Sequence, residues 1–107
     1  MFFLQTIVRG QNADSTVYLP KIIMEYEILK PGIAFGKVLR HFRKDKNYSQ
    51  ERLASESGLD RTYISLLERG LRQPSLASIL QLSKALNISS GKIISTVEAI
   101  LNEDSTN

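Results

Sequence analysis

Between Ser49 and Gly70 the chain reads SQERLASESGLDRTYISLLERG, and no other stretch of its 107 residues narrows the fold as much. Two short amphipathic helices fit it, joined by a tight turn at Gly58. Ser49 is placed to cap the first helix, its hydroxyl accepting from an orphan amide two or three residues on. Glu51 falls in the first turn, where the helix dipole favours negative charge. Leu53 and Ala54 face inward, and the small Ala54 permits a close crossing of two helices. Gly58 stands where the backbone turns left-handed, a conformation that costs a residue with a side chain about 1 kcal/mol or more. Leu59 buries in the turn and Asp60 caps the second helix. In that helix Ile64 and Leu67 share one face, three residues apart. Arg61, Thr62, Ser65, Leu66 and Arg69 point elsewhere, and Gly70 ends the helix as a second left-handed cap.

The second helix therefore opens with polar residues that have no core to fill. This is the layout of a helix-turn-helix, whose first helix braces the DNA backbone while the second lies in the major groove. Arg61 and Thr62 occupy the first turn of the recognition helix, where side chains reach base edges. An arginine there can pair bidentately with guanine O6 and N7; a phosphate contact is the alternative. Thr62 can hydrogen-bond a base or set its methyl against thymine. Ser65 and Leu66 follow one turn later, as one polar and one apolar contact, although Leu66 can equally cover a core edge. Tyr63, Arg69 and Arg72 are candidates for phosphate contacts, which fix register and carry little sequence information.

These residues carry a resemblance that reaches from about Ile33 to Leu101. Ser49-Gln50, Leu53-Ala54, Gly58, Tyr63-Ile64-Ser65, Glu68-Arg69-Gly70, Pro74-Ser75 and Ala85-Leu86 stand at the spacing of the phage lambda repressor and Cro-type helix-turn-helix family, which the chain resembles. The run Gly58 to Ser65 also looks like the small controller regulators of restriction-modification operons. The resemblance implies an all-α, five-helix DNA-binding domain. It also implies that Gln50 braces a phosphate while touching the recognition helix, and that Arg43 and Glu68 form an internal ion pair between the first and third helices.

Charge agrees with this reading. From Gly32 to Arg72 the chain holds nine basic residues against five acidic ones, although the whole chain carries only +3. Positive charge is thus concentrated where phosphates would be met. The alternative is an ordinary solvated helix surface. There is no Cys, which excludes disulfides and thiolate metal sites. The only His, His41, lies between Arg40 and Phe42 and faces solvent or phosphate, so neither a metal centre nor a general base is expected. Phosphate-cradling glycine motifs are missing too. No enzyme activity and no cofactor are expected. No apolar run has the length to cross a bilayer, and the opening MFFLQTIVRG lacks the basic flank of a signal peptide. The cytoplasm is the expected compartment.

Three sections follow. Residues 1–31 form an N-terminal extension without helical periodicity. Phe2, Leu4, Thr6 and Val8 alternate, and Val17 to Leu29 is rich in β-formers, which suits a short β-hairpin or arm. The alternative takes Met24 as the biological start. Residues 32–102 form the helix-turn-helix domain. Its first helix runs from about Ile33 to Asp45, with Phe35, Val38, Leu39 and Phe42 as the apolar stripe. A fourth helix after Ser75 buries Leu76, Ile79, Leu82 and Leu86, and exits through a left-handed Asn87. A fifth, from about Ser90 to Asn102, carries an apolar stripe wide enough to serve both the core and a second subunit. Ile94, Val97, Ile100 and Leu101 are its interface candidates. Residues 103–107 form a polar, frayed tail.

The function expected is that of a sequence-specific double-stranded DNA-binding transcriptional regulator, a homodimer on a near-palindromic operator. An antitoxin, or an adapter that bridges transcription proteins through an as yet unknown protein partner, is the alternative.

Overall fold

The computed structural model describes the backbone of residues 21–106 and the side chains of residues 30–103. Within that range the chain is five helices and no strand: α1 Lys21–Asp45, α2 Gln50–Ser57, α3 Arg61–Glu68, α4 Leu76–Leu86 and α5 Ser90–Thr106. α1 lies against α3 and α5, α2 against α3 and α4, and α4 against α5. The core sits where they converge. Val38, Leu39, Leu53, Ile64, Leu67, Leu82, Leu86 and Ile93 are each no more than 1% exposed.

The helix ends follow the side-chain chemistry of the sequence. The hydroxyl of Ser49 accepts from the Arg52 amide at 2.9 Å, that of Ser75 from the Ser78 amide at 3.0 Å, and the Asp60 carboxylate from the Thr62 amide at 2.9 Å. Gly58, at φ +76°, takes the left-handed turn between α2 and α3 and returns its N–H to the Ala54 carbonyl. Gly70 (φ +72°) and Asn87 (φ +54°) turn the same way after α3 and α4.

Three expectations need correction. α1 begins at Lys21, twelve residues before Ile33, so residues 21–29 are helical and not part of a strand. The helix passes through Pro31. Proline removes one backbone bond and strains the preceding turn. The helix that follows is anchored by buried Ala34, Phe35, Val38 and Leu39. The remainder of the proposed hairpin, residues 1–20, lies outside the described residues. At the other end α5 continues past Asn102 to Thr106.

Leu76 was expected in the core and is 73% exposed. α4 turns Ser78, Leu82 and Leu86 inward, at a spacing of four, and leaves Leu76 and Leu80 together on the open side. The polar Ser78 is tolerated there because its hydroxyl meets both Tyr63 Oη at 3.0 Å and Ser75 Oγ at 2.9 Å.

Candidate nucleic-acid interface

Eight residues of α3 carry two jobs on opposite faces. Ile64 and Leu67 are completely buried and fix the helix to the core. Arg61, Thr62 and Arg69 are exposed, and Ser65 and Leu66 are half-buried between the two faces. All four side chains expected to meet bases therefore retain access to solvent, Arg61 and Thr62 most of all. Thr62 sits directly on the Asp60 cap, which leaves its side chain free while its amide is held.

The far end of α3 is held by a charged cluster. Arg43, 7% exposed overall, gives Nε to Glu68 Oε2 at 2.6 Å and Nη2 to Oε1 at 2.9 Å. Its Nη1 donates to the Tyr48 carbonyl at 2.8 Å, so one guanidinium joins α1, the α1–α2 loop and α3. Gln50 Nε2 donates to Glu68 Oε1 at 3.0 Å and brings in α2. The hydrogen bond to Glu68, opposed by burial and assisted by the carboxylate's charge, raises Arg43 above the ordinary arginine value. It is therefore a fixed positive charge at neutral pH. Gln50 is the first helical residue after the Ser49 cap, half-buried, and one of its two amide N–H groups is given to Glu68 of α3.

The other phosphate candidates divide. Arg69 and Arg72 are exposed. The Arg72 guanidinium lies 5.7 Å from the centre of the Tyr63 ring. Tyr63 itself is half-buried and its hydroxyl is bound to Ser78, which ties α3 to α4. That position makes Tyr63 first a strut between helices.

Sequence reasoning missed three neighbours of the site. Gly36 lies beneath the end of α3, where an added Cβ would fall 2.4 Å from the Leu67 carbonyl and 2.7 Å from that of Glu68. A glycine in mid-helix is unfavourable by itself, so its presence was the available signal for a close approach. Arg52 stacks over the Tyr48 ring at 4.5 Å and pairs with Glu56 at 3.1 Å, a pair visible in the sequence as an i, i+4 spacing. Glu51 Oε2 lies 3.2 Å from Arg61 Nε, joining the first turns of α2 and α3 across the motif. No local spacing announces that contact, since the turn decides it.

On α5 the four interface candidates differ. Val97 is 7% exposed and spent in the core, a correction to its expected role. Ile100 and Leu101 are half-buried against the core's edge, and Ile94 is 39% exposed. Among the described residues no cluster of His, Asp or Glu could hold a metal ion, and no helix is long and apolar enough to cross a membrane.

Comparison with known proteins meets this geometry. A family model described as helix-turn-helix matches residues 39–93. The chain is 51% identical over 57 residues to the control protein C.BamHI of Bacillus amyloliquefaciens, across 52% of this chain and 70% of that protein. Among solved structures it is similar to the restriction-modification controller protein C.AhdI from Aeromonas hydrophila. The identity is 47% and the TM-score 0.57, over 58% of this chain and 94% of that one. It is also similar to the controller protein C.Esp1396I, solved as a tetramer in complex with its natural 35 base-pair operator. There the identity is 32% and the TM-score 0.60, over 64% of this chain and 91% of that one. With its motif helices, caps and core in place across the matched span, the chain belongs to the Cro/C1-type helix-turn-helix family.

Proposed function

We propose that this chain is a cytoplasmic transcriptional regulator of the controller type, which binds double-stranded DNA sequence-specifically and as a homodimer. One observation carries the reading: α3 is bolted down by fully buried Ile64 and Leu67 while Arg61 and Thr62 stand open at its first turn. A rigidly seated helix with free polar side chains at its N-terminal end is what major-groove reading requires. Arg61, Thr62, Ser65 and Leu66 meet base edges. Gln50, Arg69 and Arg72 meet phosphates, with Tyr63 contributing from its partly buried position. The operator complex of C.Esp1396I supports DNA as the ligand. No observation favours the antitoxin or adapter alternatives.

In the homodimer the partner lies against Ile94, Ile100 and Leu101 of α5, and the two recognition helices enter successive major grooves about 34 Å apart. Bound there, the dimer acts by occluding or touching polymerase, and the chain's own chemistry is limited to binding.

Backbone amide NMR tests the assignment of the face. On titration with a random-sequence duplex at low salt, the amides of Gln50 and of residues 61–66 and 69–72 are expected to shift, and those of residues 93–101 to stay. Shifts concentrated on α5 instead, or none at all, would overturn it.

A further inference from the structure

A carboxylate on a surface that must approach phosphates is unfavourable, and Glu51 is such a carboxylate, with its side chain 70% exposed. Ser49 fills the α2 cap, and Glu51 adds to it only the first-turn charge that the helix dipole favours. What Glu51 does have is Arg61: Oε2 lies 3.2 Å from Nε, and the Arg61 side chain is itself 56% exposed. We infer that Glu51 is a specificity-determining positioning residue, which draws Arg61 by charge on the side of its inner nitrogen and leaves the two outer nitrogens for guanine. This rests on Arg61 as a base reader.

The chemistry of the guanidinium gives the reason. Its five N–H donors lie in one plane, and a bidentate pair with guanine O6 and N7 can be made end-on by Nη1 and Nη2, or side-on with Nε taking part. A carboxylate paired 3.2 Å from Nε disfavours the side-on mode and favours the end-on fork. It also opposes the main competitor, a swing of Arg61 to a neighbouring phosphate, because that swing would break the pair. A solvated ion pair of this kind adds little to folding stability. Its effect falls on which of several accessible arginine conformers meets the DNA, and so on discrimination between sequences.

The test uses the full chain and duplexes carrying either a half-site recovered by selection from random DNA or a scrambled sequence. Affinities are measured for the natural chain, Glu51→Ala, Glu51→Gln, Arg61→Ala and the double variant Glu51→Ala/Arg61→Ala. Glu51→Ala is expected to lower the preference for the selected duplex by roughly tenfold, part of what one bidentate arginine supplies. Scrambled-duplex binding should hold or tighten. Glu51→Gln, which keeps an acceptor for Nε, is expected to retain more of the preference. In the Arg61→Ala background, Glu51→Ala should change the preference between the duplexes no further. The Arg61 Nε–H resonance should move in Glu51→Ala with the backbone amide spectrum otherwise preserved.

Equal tightening on both duplexes would overturn the inference and leave Glu51 as a mere repulsive charge. So would a loss of preference that persists without Arg61. If Arg61→Ala alone keeps the full preference, the fault lies one step earlier, in the assignment of Arg61 to bases.

Discussion

Arg43 shows how one side chain can fix the seating of a helix from beneath it. Its three hydrogen bonds end on Glu68 and on the Tyr48 carbonyl, and Glu68, with its side chain 2% exposed, has Gln50 as its remaining partner. Arg43→Ala leaves that carboxylate buried with most of its compensation gone, and a stability loss of about 3 kcal/mol or more is expected by urea unfolding. Gly36→Ala is expected to cost about 1–3 kcal/mol or more, since the added carbon meets backbone carbonyls of α3 that cannot rotate aside. A melting temperature unchanged by Gly36→Ala would contradict the close approach. Arg72 stands exposed beside Tyr63, and in the proposed function it meets phosphate. Arg72→Ala should weaken specific and random duplex binding alike, and reduce the slope of log affinity against log salt by about one unit. A loss confined to one sequence would make it a base reader instead.

At the level of elements, the motif was legible because its signals are local. Capping serines and Asp60, a left-handed Gly58 and the Ile64/Leu67 spacing each act over three or four residues, and each stands in the structure where the sequence put it. Asp60→Ala should therefore cost about 1 kcal/mol and speed amide exchange at Thr62 more than at Leu67, where the core holds the helix. Equal protection at both positions in the variant would show that the cap is dispensable. What was not legible depends on distant partners. The start of α1 was misplaced because a run of β-formers is a local signal, and the helix runs through it and through Pro31. Leu76 was misassigned because any of several phases fits an apolar helix, and the hydroxyl cluster of Tyr63, Ser75 and Ser78 selects one with a serine inside. The Glu51–Arg61 pair is a product of the turn angle, which no spacing encodes.

For the whole molecule, the proposed homodimer has to present two recognition helices at one spacing. Ile94 is the large apolar residue that α5 leaves exposed among the described residues, and Val97 is already consumed by the core of the single chain. Ile94→Asp should therefore halve the molecular mass in sedimentation, to that of a single 12.1 kDa chain, while leaving the helical spectrum intact. An unchanged mass would remove α5 as the dimer surface. The same variant should weaken operator binding by far more than random binding, because one half-site offers too little contact alone. The most direct measurement is selection of bound sequences from a random duplex library at two salt concentrations. An inverted repeat with half-sites about one helical turn apart, enriched at both, is the predicted result. Binding that enriches no sequence and vanishes as salt rises would leave only attraction to the backbone, and would contradict a sequence-reading homodimer.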